Sequence, residues 1–140
     1  MALRVAEHQV NLVASTLKSL AEAYVDPTLT PLAVYDASKL GLAAPSEPMI
    51  GFTMYERKAG VGFIQRLLID HAFQGRGYGS ATMREVIRRL RLYPDVQRIA
   101  TSYRVENRAA AQLYARLGFQ PWSVPWNDAD PDEVYVFLPS

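Results

Sequence analysis

From position 74 the chain reads Gln74-Gly75-Arg76-Gly77-Tyr78-Gly79-Ser80, with three glycines on alternate positions. Such spacing lets the backbone turn sharply and approach a ligand with no Cβ in the way. Where a helix opens straight afterwards, the N–H groups of its first turn lack intrahelical partners and, with the helix dipole, favour an anion. A phosphate group is the guest this chemistry suits. Two nucleotide motifs are excluded by the residues themselves. A P-loop ends in Gly-Lys-Ser/Thr, whereas Gly79 is followed by Ser80-Ala81, so NTP hydrolysis is not expected. A dinucleotide fingerprint needs a third glycine where Ser80 stands.

Other chemistries are removed by what the chain lacks. With no cysteine among 140 residues, disulfides, thiolate metal sites and a cysteine nucleophile are excluded. His8 and His71 are the only histidines, so no metal site is expected. Arg4 and Glu7 interrupt the apolar residues at the start, which argues against a signal peptide. No apolar run approaches the roughly 20 residues needed to span a bilayer, so a cytoplasmic location and no membrane partner are expected. A hydrophobic fraction of 49% with 21% charged residues is globular, and the length suits one domain over residues 1–140. The net charge of +1 hides a segregation: residues 57–116 hold 12 of the 15 basic residues and 4 acids. A basic middle suits a centrally bound polyanion, and equally a helix with a solvated arginine face. The arginine-rich stretch has no interleaved aromatics, so nucleic acid is not an expected partner.

The elements that must position the glycine loop follow from periodicity. Val10, Val13, Ala14, Leu17, Leu20, Ala21 and Tyr24 predict a helix over 7–24, ended by Asp26-Pro27. Residues 32–35 and 50–55 read as an antiparallel pair with a long loop between them, and 63–69 as a third strand. After the loop, Met83, Val86, Ile87 and Leu90 form the apolar face of a helix over 80–92; Arg84, Arg88 and Arg91 lie opposite, and Glu85 pairs with Arg89. A strand over 98–103 follows. Asn107 suits the N-cap of a helix to Leu117, with Gly118 at C′. Strands at 119–123 and 134–138 close the chain around a polar loop at Asn127-Asp128. The alternation predicts an α/β domain with a mixed sheet.

Gln74-x-x-Gly77-x-Gly79, after a strand ending Leu68-Ile69-Asp70, resembles the acyl-CoA-binding motif of the GNAT superfamily of N-acetyltransferases. Asn107, Ala110, Leu113, Tyr114, Leu117, Gly118 and Phe119 resemble the second half of that pattern. The similarity covers residues 50–120 closely and reaches back weakly through residues 12–14 and 19–21. Arg66–Asp70 and Thr101-Ser102-Tyr103 most resemble bacterial diamine and spermine/spermidine acetyltransferases.

The resemblance implies a GNAT fold, a mixed and mostly antiparallel sheet flanked by helices. It implies direct attack of an amine on the acetyl thioester of acetyl-CoA, with no metal. Backbone N–H groups at Gln74, Gly75, Arg76, Gly77, Tyr78, Gly79 and Ser80 would hold the pyrophosphate, with Arg84 or Arg88 as further phosphate partners. The pantetheine arm would bond to main chain at Leu68 and Ile69, where the strand splays from its neighbour. Tyr114 would protonate the leaving thiolate, with Asn107 ordering the site and the cofactor. Tyr114 also shares a helical stripe with Ala110 and Leu117, where a plain core residue would stand.

Two departures from the family bear on the acceptor. Several polyamine acetyltransferases carry a glutamate early in the strand before the loop, where this chain has Gln65; Asp70, Glu56, His71 or a water chain remain as candidate bases. The family usually has a strand and helix ahead of the segment that resembles 7–24. An abbreviated N-terminus, or a sheet edge completed by a second copy, is therefore expected, and with it a homodimer. The implied acceptor is a small polyamine or diamine, whose charge Asp128, Asp130, Asp132 and Glu133 would complement; a solvated loop would look the same. Met49, Met54, Trp122 and Trp126 either line a pocket or pack. The rival readings are an acetyltransferase for another amine, such as a protein N-terminus, an amino acid or an aminoglycoside, and a non-catalytic acyl-CoA-binding module.

Overall fold

A computed structural model of the chain describes residues 28–34, 50–69, 74–75 and 77–139. The expected helix over 7–24, together with Met49, Asp70, His71 and Arg76, lies outside them.

Strand β1 (Leu29–Val34) pairs antiparallel with β2 (Gly51–Lys58), as the sequence pattern predicts. A two-residue turn follows in which Ala59 and Gly60 both have positive φ, 53° and 80°. That is the hairpin geometry whose twist matches right-twisted strands. It feeds β3 (Val61–Ile69), antiparallel to β2. Helix α1 (Tyr78–Arg91) crosses over to β4 (Arg98–Arg104), which lies parallel to β3. Helix α2 (Arg108–Arg116), β5 (Gln120–Pro121), a 3₁₀ turn at Pro125–Ala129 and β6 (Glu133–Leu138) complete the described chain. The sheet runs β1-β2-β3-β4-β6-β5, with β3–β4 its parallel pair and the other pairs antiparallel. The expected mixed α/β architecture holds.

Helix α1 buries Thr82, Met83, Val86, Ile87 and Leu90 on the sheet, each apolar side chain contributing roughly 1.5–3 kcal/mol. It approaches closely at Gly62, where a Cβ would stand 2.9 Å from Leu90 Cδ2. Tyr55, Ile64, Ile99, Tyr114, Phe119 and Val136 share this core.

At one end β1, β2 and β3 each reach two or three residues beyond the expected bounds, and three further differences have local causes. Helix α1 begins at Tyr78 rather than at 80, because left-handed Gly77 is its N-cap and no side chain marks the start. Strand β5 is two residues instead of five, since Pro121 carries no N–H for the ladder. The loop at Asn127 folds into the 3₁₀ turn, where Asn127 Nδ2 donates to the carbonyls of Asp130 and Glu133 at 3.2 and 2.9 Å.

Candidate active site at a fork between two parallel strands

The parallel pairing of β3 and β4 runs from Val61↔Arg98 to Ile64↔Thr101 and stops there. Beyond it β3 continues to Ile69 paired with β2, and β4 continues to Arg104 paired with β6. The cause lies one residue further along β3. Register between β2 and β3 passes from Tyr55↔Ile64 to Met54↔Arg66, leaving Gln65 without an opposite number. Such a β-bulge bends its strand and increases the local twist, which carries β3 away from β4. Three carbonyls in a row are taken by side-chain donors at this point. Thr101 Oγ1 donates to Ile64 O at 2.8 Å, Arg66 Nη1 to Gln65 O at 3.1 Å, and Thr53 Oγ1 to Arg66 O at 2.6 Å. From the residues alone Thr53 attracts no notice, and Thr101 only as part of the Thr101-Ser102-Tyr103 resemblance. The one available signal is Gln65-Arg66 interrupting an apolar strand.

The glycine loop lies between β3 and α1. Gln74 Nε2 donates to Ile69 O at 2.9 Å, tying the loop to the last residue of β3. Gly75 and Gly77 have φ of 78° and 82°, and a Cβ at either would meet nothing within 4 Å. Glycine is thus required there by the left-handed backbone, and among the described residues the space beside these two glycines is open. Gly79 differs: a Cβ there would make an ordinary 3.6 Å contact with Leu113 of α2. No side chain caps α1 and no acidic residue occupies its first turn. Its first backbone bond is Ala81 N–H to Gly77 O, so Tyr78, Gly79 and Ser80 supply the first-turn N–H groups. Leu68 is buried and Ile69 half-buried on the strand leading in. An acyl-CoA fits this part of the molecule on two grounds: open space over left-handed glycines, and an uncapped helix start that favours an anion.

The arginines of α1 divide. Glu85 binds Arg88 at 2.6 Å and Arg89 at 3.1 Å, and these guanidiniums hold its carboxyl down at about 2. Arg88 stands roughly 15 Å along the axis from the helix start and complements the C-terminal end of the dipole. Arg84 is exposed and nearer to the loop.

Helix α2 delivers Tyr114. Asn107 Oδ1 accepts the Ala110 N–H at 3.1 Å, capping the helix as expected, and Gly118 follows with φ 96°. The Tyr114 ring packs against Tyr103 and Phe119 at centroid distances of 5.8 and 5.7 Å. Tyr103, on which it packs, lies on β4 two residues beyond the last rung paired with β3. Burial pushes the phenol up to about 12, so it keeps its proton at neutral pH. The ring lies in the core, where the sequence also allowed a plain core residue.

Other candidates are placed elsewhere. Tyr55 packs in the core with Tyr114, so Glu56, the next residue on the strand, points to the opposite face of the sheet. Arg104, at the end of β4, gathers Glu106, Asp132, Asp130 and Glu133 at 3.6, 3.8, 4.0 and 4.0 Å. Trp122 and Trp126 pack edge-on with each other, and with Phe137 and Tyr135 of β6. Met54 is fully buried. Among the described residues no group of three or more His, Asp or Glu could hold a metal ion, and no helix is long and apolar enough to cross a membrane.

Comparison with known proteins adds to this geometry. Spermine/spermidine N(1)-acetyltransferase of Bacillus subtilis (strain 168) is 29% identical over 126 residues, spanning 84% of this chain and 77% of that protein. PaiA N-acetyltransferase from Thermoplasma acidophilum, solved in complex with coenzyme A, has the same fold at a TM-score of 0.66 and 13% identity, covering 89% of this chain and 69% of that one. Campylobacter jejuni N-acetyltransferase PseH, solved in complex with acetyl coenzyme A, gives a TM-score of 0.64 at 20% identity over 87% and 75% of the two chains. The model of the acetyltransferase (GNAT) family matches residues 15–119, three quarters of the sequence. With the forked parallel strands, the glycine loop and that match together, the chain belongs to the acetyltransferase (GNAT) family.

Proposed function

We propose that this acetyltransferase moves the acetyl group of acetyl-CoA to a primary amine of a small polyamine or diamine. The single observation that carries the reading is the fork beyond Ile64 and Thr101, with Tyr114 packed on Tyr103 of the diverging β4. When bound, acetyl-CoA supplies an acetyl group already activated as a thioester. The chain's residues do the rest. Backbone N–H groups from Gly75 to Ser80 hold the pyrophosphate at the open start of α1, with Arg76 and Arg84 as neighbouring cations. Main chain at Leu68 and Ile69 orients the pantetheine arm beside the unpaired side of β3. Tyr114 holds a proton on Oη and gives it to the leaving sulfur, a service worth about 10²–10⁴ in rate. Asn107 acts through the helix it caps.

The acceptor class is supported by charge and by kinship. The carboxylates around Arg104 outnumber it four to one. Arg104 lies three residues beyond Thr101, about 10 Å further along β4 on the open side of the fork. A cationic amine is drawn to such a surface. The Bacillus subtilis relative is named for spermine and spermidine. The same reading includes a homodimer, tested by sedimentation, and a cytoplasmic site of action, tested by fractionation.

The direct test is thiol release from acetyl-CoA with spermidine, spermine, putrescine, amino acids and a peptide as acceptors. Having no cysteine, the protein itself gives no signal with a thiol reagent. Turnover confined to polyamines supports the reading. Turnover on peptides or amino acids alone replaces the acceptor class. Tight CoA binding without turnover on any amine makes the chain an acyl-CoA-binding module.

A further inference from the structure

The sheet face away from α1 carries a continuous run of aromatic rings. Val136 of β6 packs into the core on the helix side, so its neighbours Tyr135 and Phe137 stand on the other face. Phe63 of β3 meets Tyr135 at 6.2 Å between ring centroids, and Tyr135 meets Trp126 at 5.9 Å. Trp126 meets Trp122 at 6.1 Å, and Trp122 meets Phe137 at 6.4 Å. At the Phe137 end the exposed Arg98 guanidinium lies over two of these rings, 4.6 Å from the centre of Phe137 and 5.4 Å from that of Trp122. At the other end Trp126 is 52% exposed, and the 3₁₀ turn that holds it also carries the exposed Asp128.

Arg57, Arg88, Arg89 and Arg104 each take a carboxylate, whereas neither Arg98 nor Asp128 forms an ion pair with any described residue. The run of rings thus has an unspent cation at one end and an unspent anion at the other. We propose that this face docks a second copy of the chain about a two-fold axis at the Trp122–Trp126 pair, with Arg98 of each copy against Asp128 of the other. This rests on the homodimer in the reading above and names its surface. A two-fold contact sets one patch against itself, so opposite charges at its two ends become two complementary pairs. Tryptophan, tyrosine and arginine are also the side chains that dominate the energetics of such contacts. Strand addition is poorly served at this end of the sheet, because the edge strand β5 has two residues and one of them, Pro121, carries no N–H. The face is what remains for a second copy there.

The test is sedimentation of the full chain as wild type, Trp126→Glu, Arg98→Asp and Asp128→Arg, with the two charge variants run singly and as an equimolar mixture. Wild type is expected to dimerise. Each charge variant alone is expected to weaken the dimer by about tenfold or more, because like charges then meet twice across the axis. Trp126→Glu should weaken it at least as much by placing a charge at the apolar centre. The mixture of Arg98→Asp with Asp128→Arg should recover the wild-type dissociation constant within about threefold, since each variant supplies the charge the other lacks. That recovery also shows both variants to be folded. Should Trp126→Glu not fold, Trp126→Ala takes its place. A monomeric wild type overturns the proposal and the homodimer together, and leaves the face to a partner of another kind. A wild-type dimer that all three variants form equally well overturns this surface alone and leaves the homodimer standing. Weakened single variants whose mixture stays weak overturn the pairing of Arg98 with Asp128, and the proposal with it.

Discussion

Thr53 Oγ1 donates to the carbonyl of Arg66 at 2.6 Å, pinning the far side of the Gln65 bulge to β2. The bend in β3 is therefore held from one neighbour while the other is released. Thr53 is 1% exposed, so Thr53→Val leaves a carbonyl without its donor where water has little access. The expected loss is about 1–3 kcal/mol of stability, read from denaturant unfolding. CoA affinity should fall as well, because the bulge that opens the slot loses its anchor.

Gly77→Glu is expected to abolish CoA binding in calorimetry. It forces a side chain into the open space over the loop, at φ 82°, and sets a negative charge at the helix start. Affinity unchanged from wild type would remove the loop from the site. Gly79→Ala is the matched control: its Cβ meets ordinary contacts with Leu113 at 3.6 Å and Leu67 at 4.0 Å, so binding should persist.

Tyr114→Phe is expected to lower turnover about 10²–10⁴-fold with CoA affinity nearly intact. It also carries a pH signature. The folded phenol lies at about 12 against 10.0 for the ordinary group, so between those values the folded state holds more protons than the unfolded one. Stability supplied by this group is whole below pH 10 and lost as pH rises toward 12, in all about 2–3 kcal/mol. The variant should lack that part of the alkaline fall in unfolding experiments. Equal alkaline slopes in the two proteins would contradict the burial of the hydroxyl.

Asn107→Ala should cost about 1 kcal/mol by removing the cap on Ala110 N–H, and Asn107→Asp should retain the bond and the stability. If Asn107 serves the site only through α2, the aspartate variant keeps most of its turnover. A large loss of kcat in a fully stable Asn107→Asp would give the amide a role of its own at the substrate.

The sequence by itself determined the parts whose rules are local. The 3.6-residue stripe of α1, the Asn107 cap with Gly118 after α2, the alternate glycines and the spacing from Asn107 to Tyr114 are written in residue type and interval. From these the element order, the family and the glycine loop were legible. Sequence could not reveal the bulge at Gln65 or the donors on its carbonyls. A bulge is a mismatch between two strands 13 residues apart in the case of Thr53 and Arg66, and no single segment encodes it. For the same reason the bond from Thr101 to Ile64, 37 residues apart, depends on pairing β3 with β4, and the seating of Tyr114 on Tyr103 depends on packing α2 against β4. Tertiary structure also divided the arginines of α1 and gathered the carboxylates around Arg104. Local chemistry fixed which groups could act; the tertiary fold decided which of them meet.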